Sequence, residues 1–325
     1  MLKLLPLNKS LNYILAHSII ANGKKIRKGT LLTQKDLTAL EKAEIKKIYV
    51  FKNSLNDIEE NNAANKVAKY LSDNNVICKK AVNGRADLYS KENGMVYFDK
   101  KKLTSLNFQN LDIAVSMLKV ESIVKKNQLI GNVKILPYAI NKKKLKKVLN
   151  NESLFKFINV KKNQLTKIAL IISGNKLNQK VKNKVIEAIN IRLNNFNIKL
   201  YKVLFSEHTI DSLKYNINLI KKYNIELALI YGSTSIVDIN DIIPKSIKAS
   251  NGKIISFGLP TDPGNLLLFG ELNNIKIIGV PGCAKSLTKN GFDLVLEKVC
   301  FGLKINKKVI AEMSNGGLFK NQIKK

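Results

Sequence analysis

The chain has 325 residues, of which 45% are hydrophobic, so it can bury a sizeable core and is not disordered by composition. Its 56 lysines and arginines against 24 aspartates and glutamates give a formal net charge of +32, which first suggests nucleic acid or an anionic membrane as a partner. No apolar run approaches the ~18 residues of a membrane-spanning helix, so the sequence does not indicate an integral membrane protein.

The identity of the basic residues changes the meaning of that charge. Arginine occurs only at Arg27, Arg85 and Arg192, and the other basic residues are lysines, spread along the chain among Asn and Ile. The planar guanidinium of arginine reads bases and clamps phosphates, whereas lysine carries a hydrated point charge. We therefore expect a dispersed basic surface, with neither a nucleic-acid nor a membrane partner.

Cysteine usage and the N-terminal residues bear on the compartment. The chain has three cysteines: Cys78, Cys283 and Cys300. They form no CxxC pair and are odd in number, so they do not predict a disulfide framework. Near the N terminus, Leu4-Leu5 is followed at once by Pro6, which is not typical of a signal peptide. We expect a cytoplasmic protein.

The first part of the chain predicts short elements of both kinds. Tyr13–Ile20 and Lys46–Phe51 are strand-like, and a helix is expected to start after Thr33. A second helix is expected at 59–72, and further strands near 75–79, 94–98, 112–118 and 130–137. We therefore expect an α+β domain over residues 1–150, folded around a small barrel, with a junction at 141–165.

From residue 160 to 325, strands and helices alternate. Short apolar runs such as 167–172 and 227–231 are typical of strands buried on both faces. Further strands are expected at 197–204, 254–257, 266–269 and 275–280, and helices are expected to end near 194, 223, 250 and 301. This alternation predicts an α/β domain with a mostly parallel sheet.

Four loops at strand ends are rich in Gly, Ser, Thr, Asn or Pro. They are Ser173-Gly174-Asn175-Lys176, Gly232-Ser233-Thr234-Ser235, Leu259 to Asn265 with Pro263 and Gly264, and Pro281-Gly282 to Ser286. Open α/β sheets bind ligands beyond the carboxyl ends of their strands. Glycine admits a ligand to the backbone, and a following helix N terminus favours an anion. The loops therefore favour a phosphorylated ligand, although α/β domains also need such residues simply to make turns.

Asp238 and Asp241 follow the second of these loops. Three residues apart, they are expected to share one face of the next helix near its N terminus. There they can hydrogen-bond the N–H groups of a ligand or hold a metal. Helix capping and compensation of the helix dipole explain them equally well.

Three further residues have both a functional and a structural interpretation. His208 follows a strand end and can face the same cleft, or be an ordinary surface residue. Cys283 is predicted at a helix N terminus, where a thiol is acidified, but a small residue filling a tight contact is the simpler interpretation. Arg85 suits a bidentate phosphate or carboxylate contact, or a structural ion pair.

The motifs of the second domain, taken in order, resemble a known family. The ordered set is Tyr231 to Asp241, then Asp262-Pro263-Gly264-Asn265, then Leu268-Phe269-Gly270 to Ile277-Ile278-Gly279-Val280-Pro281-Gly282. It resembles the molybdopterin-binding domain of molybdenum-cofactor biosynthesis proteins, such as the molybdopterin molybdenumtransferases, over roughly residues 166 to 302. The resemblance implies a three-layer molybdopterin-binding domain at 160–325, preceded by the α+β domain.

The N-terminal segment resembles the leading part of a branch of the same proteins. The matching runs are Ala16-His17-Ser18-Ile19, Lys28 to Thr33, Asp36-Leu37 and Ile48-Tyr49-Val50. In that branch a nucleotidyltransferase domain that acts on the cofactor often follows. No Gly-rich nucleotidyltransferase signature is found in this sequence. The resemblance therefore implies a separate nucleotidyltransferase or molybdoenzyme maturation protein as partner, and it leaves homo-oligomers open.

The resemblance also implies roles for the loop residues. Gly232, Ser233, Thr234 and Ser235 would bind the phosphate of molybdopterin, and Gly174 is a further cofactor-binding residue. Asp238 and Asp241, the candidate catalytic residues, would meet the pterin or molybdate end. Pro263, Gly264, Asn265, Pro281 and Gly282 would line the opposite wall. Molybdate and Mg²⁺ are admitted as further ligands, and no protein metal ligands are predicted.

Three departures from the family pattern limit the implied chemistry. Ser233 stands where the family has a second glycine, Asn240 stands at the acidic position, and Asn265 replaces a lysine. The chain can therefore be a molybdenumtransferase-like enzyme or a cofactor-binding module that presents molybdopterin to its partner. The alternatives are a nucleotide pyrophosphatase of related fold and a basic nucleic-acid-binding protein, although 7% aromatic residues argue against the latter.

Overall fold

The computed structural model describes residues 2–52, 54–175 and 178–319. The chain divides into two compact units, Met1–Lys161 and Lys162–Lys325. Both contain helices and sheets, which confirms the α/β class. Among the described residues, no helix has the length and apolar character that crossing a membrane requires.

The first unit is built from short strands and four helices within its described part. Its strands are β1 (Lys3–Pro6), β2 (Ile14–Leu15), β3 (Ile19–Ala21), β4 (Lys24–Ile26), β5 (Lys47–Phe51), β6 (Asp57–Glu59), β7 (Val76–Cys78), β8 (Arg85–Ser90), β9 (Gly94–Tyr97), β10 (Ile113–Met117), β11 (Ile123–Val124), β12 (Leu129–Ile135), β13 (Ala139–Asn141) and β14 (Asn159–Lys161). Its helices are α1 (Gln34–Lys42), α2 (Glu60–Leu71), α3 (Lys100–Gln109) and α4 (Lys142–Leu149).

These strands do not form the small barrel that the sequence predicted. They form separate sheets in the orders β1-β5-β2, β10-β12-β8-β7, β11-β9-β14, β13-β6 and β3-β4. Strands of two to seven residues are too short to keep one continuous ladder, so the chain changes sheet repeatedly. The segment expected as a junction begins with α4, whose Leu145 and Val148 are buried in the core of this unit.

Two hydrophobic clusters meet inside the first unit. A small one includes Leu15, Leu40 and Val50, and a larger one is centred on α2 and β12. Polar and aromatic contacts join them: Lys28 lies 3.0 Å from the carboxylate of Glu60, which is only 6% exposed. A buried carboxylate of this kind depends on its ammonium partner.

Residues 162–319 contain a six-stranded sheet flanked by helices. The strands are β15 (Ile168–Ser173), β16 (Leu200–Ser206), β17 (Leu227–Gly232), β18 (Lys253–Phe257), β19 (Leu268–Leu272) and β20 (Ile275–Val280), in the order β16-β15-β17-β20-β19-β18. The helices are α5 (Gln179–Asn194), α6 (Ile210–Lys222), α7 (Ile242–Ala249), α8 (Gly291–Cys300) and α9 (Lys307–Glu312). All residues of β15 and β17 are buried, as their continuous apolar runs predict.

The strand directions bring the functional loops to one edge. Strands β16, β15, β17 and β20 are mutually parallel, and β19 is antiparallel to both β20 and β18. Strand β18 therefore runs in the same direction as β20. The loops that follow five of the six strands consequently leave from the same edge of the sheet. Helices α6 and α7 pack on one face, where Ile217 and Ile247 belong to the same buried cluster as alternate residues of β15 and β17.

Helix α8 starts later than predicted from the sequence, which placed a helix N terminus at Cys283. Residues Gly282–Lys285 form a 3₁₀ turn, and α8 begins only at Gly291. The guanidinium of Arg192 donates to the carbonyls of Ala284 and Ser286, which removes these oxygens from any helical ladder. Asn290 then caps α8 through its side chain.

Candidate functional site

The Gly-Ser-Thr-Ser loop leaves the middle of the sheet. Gly232 ends β17 and is buried, and a Cβ at this position would lie 2.9 Å from the carbonyl of Thr234. The side chains of Ser233, Thr234 and Ser235 are exposed. The amide of Ser233 donates to the carbonyl of Ser173 at 2.8 Å, which ties this loop to the end of β15. The loop thus presents three hydroxyl groups at the sheet edge on a fixed backbone.

The Pro281-Gly282 loop lies beside these hydroxyls. A Cβ on Gly282 would lie 3.5 Å from Ser235 Oγ, which is ordinary van der Waals contact and shows that the two loops lie side by side. An open depression of about 600 Å³ follows, lined by Lys184, Gly282, Cys283, Lys285, Ser286, Leu287 and Thr288. Its two ammonium groups favour an anionic ligand, and no aspartate or glutamate lines it.

Asp238 and Asp241 are not on a helix face, contrary to the expectation. Helix α7 begins at Ile242, so Asp238 precedes it and Asp241 occupies the N-cap position. The Asp241 carboxylate does not cap the helix but accepts the backbone N–H groups of Val237 at 2.7 Å and Asp238 at 3.0 Å. Asp238 accepts the N–H of Asn240 at 2.7 Å. The two carboxylates therefore shape the segment between the loop and α7, and Asp238 remains exposed.

His208 joins the loops that follow β15, β16 and β17. Its Nδ1 lies 2.9 Å from Ser173 Oγ, and its Nε2 lies 3.3 Å from Thr234 Oγ1. Its backbone N–H donates to Asn175 Oδ1 at 2.7 Å, and the neighbouring Gly174 donates to the carbonyl of Ser206 at 2.9 Å. Partial burial lowers the pKa of His208 below its ordinary value, and the nearby Asp241 carboxylate opposes this only in part. The ring is therefore a neutral bridge at neutral pH.

Pro263 and Gly264 contact the start of α8 rather than the Gly-Ser-Thr-Ser loop. The carbonyl of Pro263 accepts the N–H of Gly291 at 2.9 Å, and a Cβ on Gly264 would lie 2.5 Å from the same nitrogen. Asn265 is exposed, and its carbonyl accepts the N–H of Leu259 at 2.8 Å. This loop follows β18, which is separated from β20 by β19. This loop therefore lies at the same sheet edge, two strand spacings from the loop that follows β20.

Cys283 and Arg85 have structural surroundings. Burial raises the pKa of the Cys283 thiol, so the thiol is not acidified as a helix N terminus would make it. Arg85 Nε pairs with Asp87 at 2.6 Å on the surface of the first unit, which agrees with the structural interpretation of this residue. Among the described residues, no group of three His, Cys, Asp or Glu side chains is placed to hold a metal ion.

A further cavity belongs to the first unit. It has a volume of about 410 Å³ and lies between α3 and α4 of the first unit, where Lys101, Lys102 and Lys147 are among its lining residues. It shares no residue with the loops of the second unit. We assign the candidate site to the sheet edge because the motif residues and the bridging histidine meet there.

Sequence reasoning underestimated His208 and Arg192. A single histidine after a strand gives no local signal, since its partners Ser173 and Thr234 lie 35 and 26 residues away in the chain. Arg192 did carry a signal, because it is one of only three arginines in a lysine-rich chain. Its guanidinium pairs with Asp293 at 2.7 Å and donates to the carbonyls of Ala284 and Ser286 in the loop that follows Pro281.

No family model and no curated protein matches the chain. Among solved structures it is similar to a molybdenum cofactor biosynthesis protein B, with 14% identity and a TM-score of 0.35 over 43% of this chain and 96% of that one. It is also similar to a molybdopterin biosynthesis protein from Mycobacterium abscessus, with 12% identity and a TM-score of 0.32 over 46% of this chain and 97% of that one.

A longer alignment joins the chain to a molybdenum cofactor biosynthesis protein from Pyrococcus furiosus. It has 11% identity and a TM-score of 0.27, and it covers 94% of this chain and 66% of that one. The names of these three structures agree with the resemblance that the sequence motifs indicate. Because each TM-score is below 0.5, these likenesses do not decide the function.

Proposed function

We propose that this chain binds molybdopterin at the edge formed by the loops after β15, β17 and β20, and acts in molybdenum-cofactor biosynthesis. The single observation that carries the proposal is the convergence of the Ser233, Thr234 and Ser235 hydroxyls with Gly282 at one sheet edge. These are the residues on which the family resemblance rests. Exposed hydroxyl groups suit the phosphate of such a cofactor.

The charge distribution around this edge supports an anionic ligand. The ammonium groups of Lys184 and Lys285 line the depression next to Gly282. The positive net charge of the chain further raises the local concentration of anions. Within this proposal, Ser233 to Ser235 hold the phosphate, and Pro263, Gly264 and Asn265 border the far side of the site.

The two aspartates have a defined place in this proposal. Asp241 accepts two backbone N–H groups and so positions the segment after the Gly-Ser-Thr-Ser loop. The exposed Asp238 is available to the pterin or molybdate end of the ligand. Molybdopterin would supply a phosphate for the Gly-Ser-Thr-Ser loop and a dithiolene that binds molybdenum. Presentation of the cofactor to a separate nucleotidyltransferase in the cytoplasm is the reaction context we propose, with molybdate insertion as the alternative.

The decisive experiment measures ligand retention. The purified chain is incubated with molybdopterin, with a nucleotide panel and with single-stranded RNA, and retained ligand and thermal shift are recorded. We expect retention of molybdopterin and a raised melting temperature. Hydrolysis of a nucleotide would favour the pyrophosphatase alternative. Tight, salt-sensitive RNA binding without molybdopterin retention would overturn the proposal.

A matched pair of variants tests the aspartates. Asp241→Asn keeps an oxygen that can accept the Val237 N–H, so the loop is expected to survive while the charge is lost. Asp238→Ala removes an exposed carboxylate whose one described contact is with Asn240. We expect each to weaken molybdopterin retention roughly tenfold, corresponding to about 1.4 kcal/mol. Unchanged retention in both variants would restrict these residues to shaping the loop.

A further inference from the structure

We propose that His208 is a proton-linked anion contact of this edge: Nε2 gains a proton when an oxyanion enters the Gly232–Ser235 loop. The inference rests on the proposed function, since it assigns a role to a residue of the same site. The family resemblance does not include His208. The geometry around the ring carries the argument.

We infer the tautomer of the free protein from the hydrogen bonds around the ring. Ser173 Oγ lies 3.2 Å from the carbonyl of Glu207, which can only accept, and 2.9 Å from His208 Nδ1. A hydroxyl has one hydrogen, and we assign that of Ser173 to this carbonyl, which has two lone pairs and also accepts from Ser206 Oγ at 2.8 Å. Ser173 Oγ then accepts from Nδ1–H. The lone pair of the imidazole is therefore on Nε2, the atom that faces Thr234.

The Nε2 contact is the one that a ligand would change. Thr234 Oγ1 lies 3.3 Å from Nε2, at the long end of the hydrogen-bond range, and the threonine side chain is exposed in the phosphate loop. An oxyanion bound there attracts the threonine hydrogen. Nε2 is then left without its donor and beside a negative charge. A protonated Nε2 instead donates to the anion or to the threonine oxygen, which makes the imidazolium the favoured form.

The surroundings of His208 have opposing effects on its protonation. Partial burial disfavours the imidazolium in the free protein, and the carboxylate of Asp241 favours it. Ser173 and the backbone contact to Asn175 hold the ring in place without adding charge. A bound dianion would add to the attraction from Asp241. Binding and protonation would therefore strengthen each other by linkage.

The chain offers a clean measurement because it has only two histidines, His17 and His208. His17 lies in the first unit, with its ring 5.7 Å from Tyr49, and serves as the internal control. Nitrogen-15 NMR of the imidazoles identifies the tautomer and the pKa of each ring. The probe is sulfate, which remains a dianion throughout the titration range of histidine, compared with chloride at equal ionic strength.

We expect His208 in the free protein to carry its hydrogen on Nδ1. Sulfate should raise the pKa of His208, leave the nitrogen-15 signals of His17 unchanged and bind more tightly as the pH falls. The limit is about tenfold per pH unit between the free and bound pKa values. An Nε2–H tautomer in the free protein, or sulfate binding with no shift at His208, would overturn the inference.

Two variants separate this role from simple packing. The amide nitrogen of His208→Gln can replace Nε2 as a donor, so sulfate binding is expected to persist and lose its pH dependence. His208→Asn reaches only toward Ser173, and we expect binding to weaken at least severalfold. If sulfate binding to His208→Gln still depended on pH, this would contradict the inference. Failure to retain molybdopterin while sulfate still shifts His208 would remove only the proposed function.

Discussion

Arg192 shows how one side chain determines the shape of a loop far away in the sequence. It is 5% exposed, and its guanidinium contacts the Asp293 carboxylate and the carbonyls of Ala188, Ala284 and Ser286. Asp293 also belongs to the capping box of α8. The planar fork of arginine serves all these acceptors at once, which a lysine ammonium cannot do. This explains why an arginine stands here in a lysine-rich chain.

We expect Arg192→Lys to lower the free energy of unfolding by about 2 to 4 kcal/mol, because buried carbonyls lose their donors. The control is Arg85→Lys, whose exposed pair with Asp87 should cost no more than about 1 kcal/mol. Urea denaturation measures both variants. Equal losses would show that Arg192 is only another ion pair.

Elements of the second unit are held together by short contacts between loops. Glu226 precedes β17, and its carboxylate accepts the N–H of Thr166 at 2.7 Å and that of Lys167 at 2.8 Å, just before β15. Gly264 contacts the first turn of α8, so the loop after β18 and this helix fit only without a side chain. Such contacts align strand ends whose separation in sequence is large.

The Glu226 clamp predicts a pH dependence of stability. Burial favours the neutral carboxyl, but the hydrogen bonds from Thr166 and Lys167 outweigh it and lower the pKa of Glu226 below its ordinary 4.5. The contribution is therefore present above the unfolded value and is lost as pH falls through the folded pKa. We expect Glu226→Gln to flatten the decline of melting temperature below pH 4.5. If the melting temperature of Glu226→Gln fell with pH as steeply as that of the unmodified chain, the Glu226 carboxylate would not contribute to acid stability.

A glycine pair tests the fit between the β18 loop and α8. Gly258 and Gly264 both have positive φ, +87° and +117°, but a Cβ on Gly258 would meet nothing closer than 3.6 Å. Gly258→Ala should cost about 1 kcal/mol from backbone strain alone. Gly264→Ala adds a clash at 2.5 Å with the Gly291 nitrogen. We expect a clearly larger loss, about 3 kcal/mol, and equal losses by urea denaturation would contradict this packing.

At the scale of the whole molecule, the charge of +32 is a source of self-repulsion. Lysines and arginines outnumber acidic residues by more than two to one, so many ammonium groups cannot have a carboxylate of their own. Repulsion between exposed charges is screened by salt, with a Debye length of about 10 Å at 0.1 M. The protein should therefore be less stable at low ionic strength than its core suggests.

We expect the melting temperature to rise by several degrees between about 20 and 300 mM NaCl, because screening relieves this repulsion. Differential scanning fluorimetry measures the effect, and glucose at equal osmolality is the control. A melting temperature that stays constant or falls with salt would mean that the lysines are paired more effectively than their number suggests.

The sequence by itself determined the six strands of the second unit and its helices α5, α6 and α7, but not the start of α8 or the presence of α9. Runs such as Leu227–Gly232 and the helical spacing of α5 and α6 are local patterns, and burial of these residues follows from them directly. The candidate loops were also identifiable, because they follow strands that run in the same direction. The helices α3 and α4 were missed, since each buries too few residues to show a period.

Only the tertiary structure decided how the candidate site is made. Asp241 left the helix face because two amides outside the helix take its carboxylate. His208 became a bridge because three strand ends meet at one edge. Arg192 became the support of a loop that lies some 90 residues further along the chain. These contacts depend on strand order and direction, which residue periodicity does not record, and strand order therefore decided the site.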